Sequence, residues 1–329
     1  MSHIAKIWND LCSNAERFHL DPVKFNALSP FFATLDPAVF HEFAKGTLDN
    51  FPMEKAKAMF PDEKLFKLLL LCVVANLDPM ISKYRIEQWP DSMLEEILPD
   101  LELWLNTLER DLGGYGLIPR IFHWCVDILK GEVKSFGRLQ ANSIHSYCGP
   151  CSIYRKPDGE PICLPAFHRN NPPHPDLAPG DKVINIHIPA TGPLLRSECI
   201  RSLKRMCDFS AEFHPDYDYK AIVCYSWLLD PVFQQILKPE SNIVRFQNLG
   251  HVFRWEEHSQ DAEVRWRLWG DRGNRLPLEQ LPAKTSMERA VIGHLRNNGH
   301  FSEGILVIFR DTAEAILKQQ GQRDPHNLP

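Results

Sequence analysis

A Cys-Gly-Pro-Cys tetrapeptide, Cys148 to Cys151, stands in the segment His145–Tyr154. The same four residues serve thioredoxins as a dithiol redox centre, where a helix N-terminus behind a buried strand lowers the first thiol's pKa. Here the tetrapeptide is followed by Ser152-Ile153-Tyr154-Arg155 and a Pro157-Asp158-Gly159 turn. That is a β-branched run and a bend, not a helix start. The expectation is a strand-end or hairpin turn in which Gly149-Pro150 bends the chain and both thiols fill space. Two other readings carry chemistry. Cys148 and Cys151 can form a redox pair, and Cys148, Cys151, Cys163 and His168 have residue types that bind zinc. No second cysteine knuckle accompanies them, so no metal site is expected.

Two further segments hold reactive side chains. In "KVINIHIP", strand alternation puts Ile184, Ile186 and Ile188 on one face and Asn185 and His187 on the other. A histidine in a strand either satisfies a buried hydrogen bond or acts as a general base. In "AIVCYSWLLDP", Cys224 and Ser226 share a face and Tyr225 takes the opposite one. Asp230-Pro231 has the form of a helix N-cap and first-turn proline. Between the two segments lies "ATGPLL", a short loop entering a helix. The N–H groups of Thr191, Gly192, Leu194 and Leu195 are candidates to bind an anion there, aided by the helix dipole. The plainer reading is an ordinary strand-to-helix turn, since neither a Walker loop nor a Gly-x-Gly-x-x-Gly motif is present.

The elements that must position these residues are legible as periods. Up to about residue 130 the apolar spacing is helical, and about five helices are expected. "DPAVFHEF" opens on a cap-and-proline pair, and Gly113-Gly114 closes another helical stretch. The longest apolar run, Leu68 to Leu77, is too short to span a bilayer and reads as a buried helix. Beyond Gly131 the texture changes. Strands are expected around "SFGRLQANSIHSY", on both sides of the Pro157–Glu160 turn, at "KVINIHIP" and "YKAIVCYSWLL", and across "NIVRFQNLGHVFRWEE", "AEVRWRLWG" and "GILVIF". Helices are expected at "LLRSECIRSLKRMCDFSAEF", "DPVFQQIL" and "SMERAVIGHLRNNG", and the tail from Lys318 is expected to fray. The fold class is α+β: a helical N-terminal domain and then a mixed β-sheet flanked by helices.

The chain has 329 residues and a formal net charge of −5, which argues against a general nucleic-acid binder. The opening residues lack a basic stretch followed by an apolar one, so a cytoplasmic setting with mostly free thiols is expected for the nine cysteines. No membrane association is expected.

"SFGRLQ", "NIHIPATGPL", "YSWLLDP" and "SNIVRF" occur in this order and at suitable spacing. Together they resemble a bacterial family of acyltransferase domain-containing proteins. Its members join a helical N-acyltransferase N-terminal domain to a GNAT-like C-terminal domain. The resemblance implies a helical domain over residues 1–132 and a GNAT-like domain over 133–329. It implies acyl-CoA as co-substrate and an amine of a small molecule or peptide as acceptor. Ile188, Ala190, Thr191, Gly192, Leu194 and Leu195 are then the cofactor-contacting positions. "AIVCYSWLL" becomes the strand that splays from its neighbour to admit the pantetheine arm. His187 is expected as base, Ser226 or a backbone N–H as carbonyl polariser, Tyr225 as acid and Cys224 as a rival nucleophile. His187 and Ser226 are expected to face one cleft. GNAT enzymes carry an Arg/Gln-x-x-Gly-x-Gly/Ala loop, whereas this chain has Ala190-Thr191-Gly192-Pro193-Leu194. Pro193 has no N–H to donate, so pyrophosphate binding is expected to be weaker or differently arranged. The alternative from another class is a non-catalytic GNAT-like module that binds a ligand or a protein partner.

Overall fold

The computed structural model describes residues 3–165 and 172–321. They divide into two compact units, Met1–Ser135 and Phe136–Pro329. His168, a residue of the zinc reading, lies outside the described residues.

The first unit is helical, with ten helices among the described residues, more than the five expected, because several apolar stretches break at prolines. Asp36 caps the helix Pro37–Gly46 by accepting from the N–H groups of Ala38 (2.8 Å) and Val39 (3.2 Å), as the Asp-Pro pair indicates. Gly113 closes the helix Asp100–Leu112 in the left-handed conformation, φ 73°. The helix Asp62–Val74 buries every residue from Leu68 to Val74, which makes it the core element that its apolar run suggests. The stretch Asp62–Ile86 is long and apolar enough to cross a membrane, but most of it is buried inside this unit. Strand β1 (Val133–Ser135), fully buried, ends the unit.

The second unit contains β2 (Gln140–Ser146), β3 (Cys151–Arg155), β4 (Pro161–Pro165), β5 (Lys182–His187), β6 (Ala221–Ser226), β7 (His251–Ser259) and β8 (Ser302–Phe309). Five of these follow the order β2-β5-β6-β8-β7 in one mixed sheet. Only β5 and β6 run parallel there, joined by the long helix Arg196–Phe213; β2, β8 and β7 pair antiparallel. Both faces are buried. Ile184, Ile186, Ile222, Cys224, Leu306 and Ile308 point one way, each 1% exposed or less. Val183, Ala221, Val223, Ile305, Val307 and Phe309 point the other way and pack against Tyr147, Cys151, Ile153 and Leu177. That second face lies under the antiparallel hairpin of β3 and β4.

Three local expectations need correction. "NIVRFQ" is a short helix, Asn242–Gln247, capped by the Ser241 hydroxyl, which accepts from Val244 N–H at 3.3 Å; the strand begins only at His251. "AEVRWRLW" is a helix, Asp261–Trp269, not a strand. Its alternation of apolar and basic residues imitates period two, but Val264 and Leu268, one helical turn apart, both enter a small core with Phe233, Val291 and Phe301. The tail from Lys318, whose sequence reads as frayed, is helical as far as Gly321, the end of the helix Arg310–Gly321. Other elements agree with their sequence signals: the helix Ser286–Arg296 starts with a full capping box between Thr285 and Glu288.

The cysteine motif forms the expected bend into β3, but its thiols are not all space-fillers. Cys151 is joined by a disulfide to Cys163, its neighbour on the antiparallel partner β4, while Cys148 is free and exposed. Register pairs Ile153 with Cys163 and Cys151 with Pro165, so the bridge links adjacent strands of the hairpin diagonally. Seven of the nine cysteines are free. Among the described residues, no three His, Cys, Asp or Glu side chains gather where they can hold a metal ion.

Candidate functional site

The candidate site is built where β5 and β6 part. Their parallel pairing runs from Val183–Ala221 to Ile186–Cys224 and stops. Beyond that point β5 stays with β2, pairing His187 with Gln140, and β6 stays with β8, pairing Ser226 with Gly304. Each strand thus keeps its outer neighbour while the inner ladder opens. Past Ile186 and Cys224 the backbone groups of β5 and β6 no longer pair with each other, the arrangement that an extended amide-bearing ligand can complete.

Register settles which side chains share this gap. Asn185 is level with Val223, so His187 falls on the face of Tyr225, and Ser226 takes the opposite face. The expectation that His187 and Ser226 face one cleft is therefore corrected: parallel pairing aligns His187 with Tyr225. The Ser226 hydroxyl instead accepts from Leu228 N–H at 3.2 Å and caps the 3-10 turn Trp227–Leu229. Cys224 is 1% exposed, and burial raises its thiol pKa far above the range in which a thiolate forms at neutral pH. Tyr225 is held by its hydroxyl, which accepts from Cys148 N–H at 3.1 Å. Burial is the main cause that raises its pKa, so the phenol keeps its proton.

His187 has two asparagine side chains beside its ring, Asn142 and Asn185. Its Nε2 is 2.6 Å from Asn142 Oδ1 on β2. A carboxamide oxygen only accepts, so Nε2 carries the proton and Nδ1 the lone pair. Burial, with a smaller contribution from the charge of His145, lowers the His187 pKa to about 4. The ring is neutral through the physiological range. Asn185 Nδ2 lies 3.5 Å from the same Nε2, which cannot accept while it donates to Asn142. Asn185 is 6% exposed, and its Oδ1 has no hydrogen-bond partner. An unmet buried carbonyl costs about 1–3 kcal/mol, which a ligand N–H at this place offsets.

The loop after β5 continues the gap. Ile188 and Pro189 are half-buried, Ala190, Thr191 and Gly192 are exposed, and Leu194 is buried. Leu195 is 45% exposed. Gly192 has φ 149°, a conformation that side-chain-bearing residues rarely adopt. The Leu195 N–H, expected as a free donor, bonds to Pro193 O at 2.9 Å. Among the described residues nothing accepts from the N–H groups of Ala190, Thr191, Gly192 or Leu194. They precede the helix Arg196–Phe213, whose own first-turn donors point the same way along its axis.

Asp230 has the structural role that its sequence position suggests, and more. Oδ1 accepts from Val232 N–H at 3.0 Å, and Oδ2 accepts from Ser302 N–H at 2.7 Å. Arg254 Nε is 3.6 Å from Oδ2, and the aspartate is 0% exposed. It ties β6 to β8 through the turn after β6.

Three polar residues at the site, Asn142, Asn185 and Arg138, have no role that the sequence assigns, although alternation does place Asn185 on the face of His187. Asn142 and Asn185 become neighbours only through the β2–β5 register, which pairs them directly. Arg138 lies in the "SFGRLQ" segment, but its partners are 51 to 55 residues away: Nη1 donates to Pro189 O (3.0 Å), Nη2 to Gly192 O (2.7 Å) and Nε to Pro193 O (3.0 Å).

The model of a family described as GNAT-like C-terminal domain matches residues 133–306. Among solved structures, an acyltransferase in complex with decanoyl-CoA and teicoplanin is similar, with a TM-score of 0.64, 20% identity, and coverage of 90% of this chain and 86% of that one. An acyltransferase mutant in complex with octanoyl-CoA gives a TM-score of 0.63 at 20% identity, covering 89% of this chain and 85% of that one. A third, an acyltransferase in complex with decanoyl-CoA, gives a TM-score of 0.56 at 18% identity, covering 90% of this chain and 98% of that one. At these identities the likeness is one of fold. No curated protein matches the chain significantly.

Proposed function

The chain belongs to the GNAT-like C-terminal domain family, and from that premise we propose that it transfers an acyl group from coenzyme A to an amine of a small-molecule or peptide acceptor. The observation that carries this reading is the opening of β5 from β6 immediately before a loop with uncommitted N–H donors. Structures of like fold hold acyl-CoA, which supports the same assignment. The residues present fit such a co-substrate. The loop N–H groups suit a pyrophosphate, the open strand edges suit the pantetheine amides, and the unmet Asn185 Oδ1 suits an N–H.

In the proposed reaction the amine nitrogen attacks the thioester carbonyl carbon. The new C–N bond forms as the C–S bond breaks. His187 takes the amine proton on Nδ1, with Asn142 holding Nε2–H and so the ring orientation. Tyr225, protonated and on the same face, hydrogen-bonds the departing sulfur, and the proton that His187 took from the amine passes to the thiolate, so both side chains return to their starting states. Backbone N–H groups on the open edges, rather than Ser226, polarise the thioester carbonyl. Cys224 and Ser226 have no part in these steps.

Coenzyme A is expected to raise the melting temperature, since a ligand selective for the native state stabilises it by mass action. Gly192→Val should abolish that shift. No atom lies within 4 Å of a Cβ added at Gly192, so the penalty comes from the backbone conformation and the native loop shape is lost. Thermal melts of both proteins at millimolar coenzyme A test this. No shift in the parent contradicts the acyltransferase reading and favours a binding module for some other ligand.

A further inference from the structure

Typical GNAT loops carry their own arginine or glutamine, and the loop Ala190–Leu195 has neither. The structure places a cation there by another route. Arg138, at the turn before β2, spreads its guanidinium beneath the loop and donates to the carbonyls of Pro189, Gly192 and Pro193. We propose that Arg138 is the positioning residue of a diphosphate-binding loop, turning three loop carbonyls inward so that the loop's N–H groups are presented to the pyrophosphate of coenzyme A.

In a trans peptide the C=O and the following N–H point in opposite directions. Fixing Pro189 O on Arg138 directs the Ala190 N–H away from it, and fixing Pro193 O does the same for Leu194 N–H. The third peptide, Gly192–Pro193, offers no N–H, so turning its carbonyl inward removes a negative dipole end from the anion's side at no loss of a donor. Without Arg138, three carbonyl oxygens of one short loop crowd together and the peptides are free to rotate toward the anion. A lysine cannot substitute, because a point ammonium lacks the planar fork that serves three acceptors at once. The guanidinium also stays charged and adds a fixed positive field under the site.

This inference rests on the coenzyme A reading, so its test separates the two. Dissociation constants are measured by calorimetry for coenzyme A and for pantetheine, which lacks the diphosphate, on the parent, Arg138→Met and Arg138→Lys. The expected result is that both variants bind coenzyme A about tenfold or more weakly, as loss of charge-assisted contacts implies, while pantetheine affinity stays within about twofold of the parent. Should Arg138→Met fail to fold, Arg138→Lys carries the same expectation. Amide exchange at Leu195, whose N–H donates to the Pro193 carbonyl that Arg138 holds, should quicken in both variants, a readout that does not depend on ligand. Equal coenzyme A affinity in parent and variants overturns the role of Arg138 and leaves the coenzyme A reading standing. Equal weakening of coenzyme A and pantetheine also overturns it, since the effect is then not on the diphosphate. A parent that binds neither compound defeats the coenzyme A reading and this inference with it.

Discussion

His187→Ala is expected to lower turnover by about a hundredfold per folded molecule, the usual contribution of a positioned general base. Coenzyme A affinity should hardly change, because the histidine faces the reacting end of the gap and not the loop. The parent's pH profile supplies a second signature. The active form is the neutral ring, so activity falls as pH drops through the pKa of the folded protein. An ordinary histidine loses most of its neutral form by about pH 5.5. In this site burial and His145 hold the pKa down at about 4, so kcat/KM should remain flat from neutral to about pH 5.5 with respect to this group. Thiol release from acyl-CoA in the presence of a weakly basic amine, so that the acceptor itself stays deprotonated, measures both. Asn142→Ala should move the limb as well, because Nε2–H then loses its acceptor. Unchanged turnover in His187→Ala with a depressed melting temperature would make the residue a buried hydrogen-bonding group and nothing more.

Gly304→Ala is expected to be the most damaging single methyl that this fold can receive. A Cβ at Gly304 lies 1.9 Å from Leu229 C, 2.0 Å from Leu229 O and 2.4 Å from Asp230 N. All three are backbone atoms of residues that are 0% exposed, so no side chain can swing aside. Gly304 pairs with Ser226 on one side and Arg254 on the other, in the middle of the sheet. To admit the methyl, the turn after β6 must lift from β8, and the Asp230 bond to Ser302 N–H breaks with it. A loss of about 3 kcal/mol or more is expected, enough to leave much of the chain unfolded. Gly293→Ala is the matched control. It lies inside the helix Ser286–Arg296 with nothing within 4 Å of its Cβ, and should gain up to about 1 kcal/mol. Denaturant titration of both variants decides; a Gly304→Ala protein as stable as the parent would mean that the turn does not pack on β8 as described.

The sequence speaks clearly where structure is local. The strands at "NIHIP" and "IVCYS", the loop between them and the long helix that follows are all set by spacing within a few residues, and each is present. The Asp36-Pro37 cap is legible for the same reason. What is not legible depends on register or on distance along the chain. Period two assigns Tyr225 and Ser226 to opposite faces, but only the parallel pairing of Ile186 with Cys224 says which of them joins His187. Cys151 and Cys163 are separated by 12 positions, and no spacing rule chooses that pair over Cys148 and Cys151. Arg138 lies in the "SFGRLQ" motif, but nothing in that segment points to its role, since its partners are carbonyl groups, which every residue has. The helix Asp261–Trp269 was obscured by arginines placed between tryptophans and leucine, whose long stems let them lie along a half-buried helix.

Coenzyme A is expected to bind in the opening between β5 and β6, with its diphosphate on the loop Ala190–Leu195. A crystal structure of the parent grown with coenzyme A measures this directly. The expected result is the diphosphate against the N–H groups of Ala190 and Leu194, the pantetheine arm between the strands beyond Ile186 and Cys224, and the thiol on the face that bears His187 and Tyr225. Coenzyme A bound elsewhere on the molecule, or a gap left to water at millimolar ligand, would contradict it.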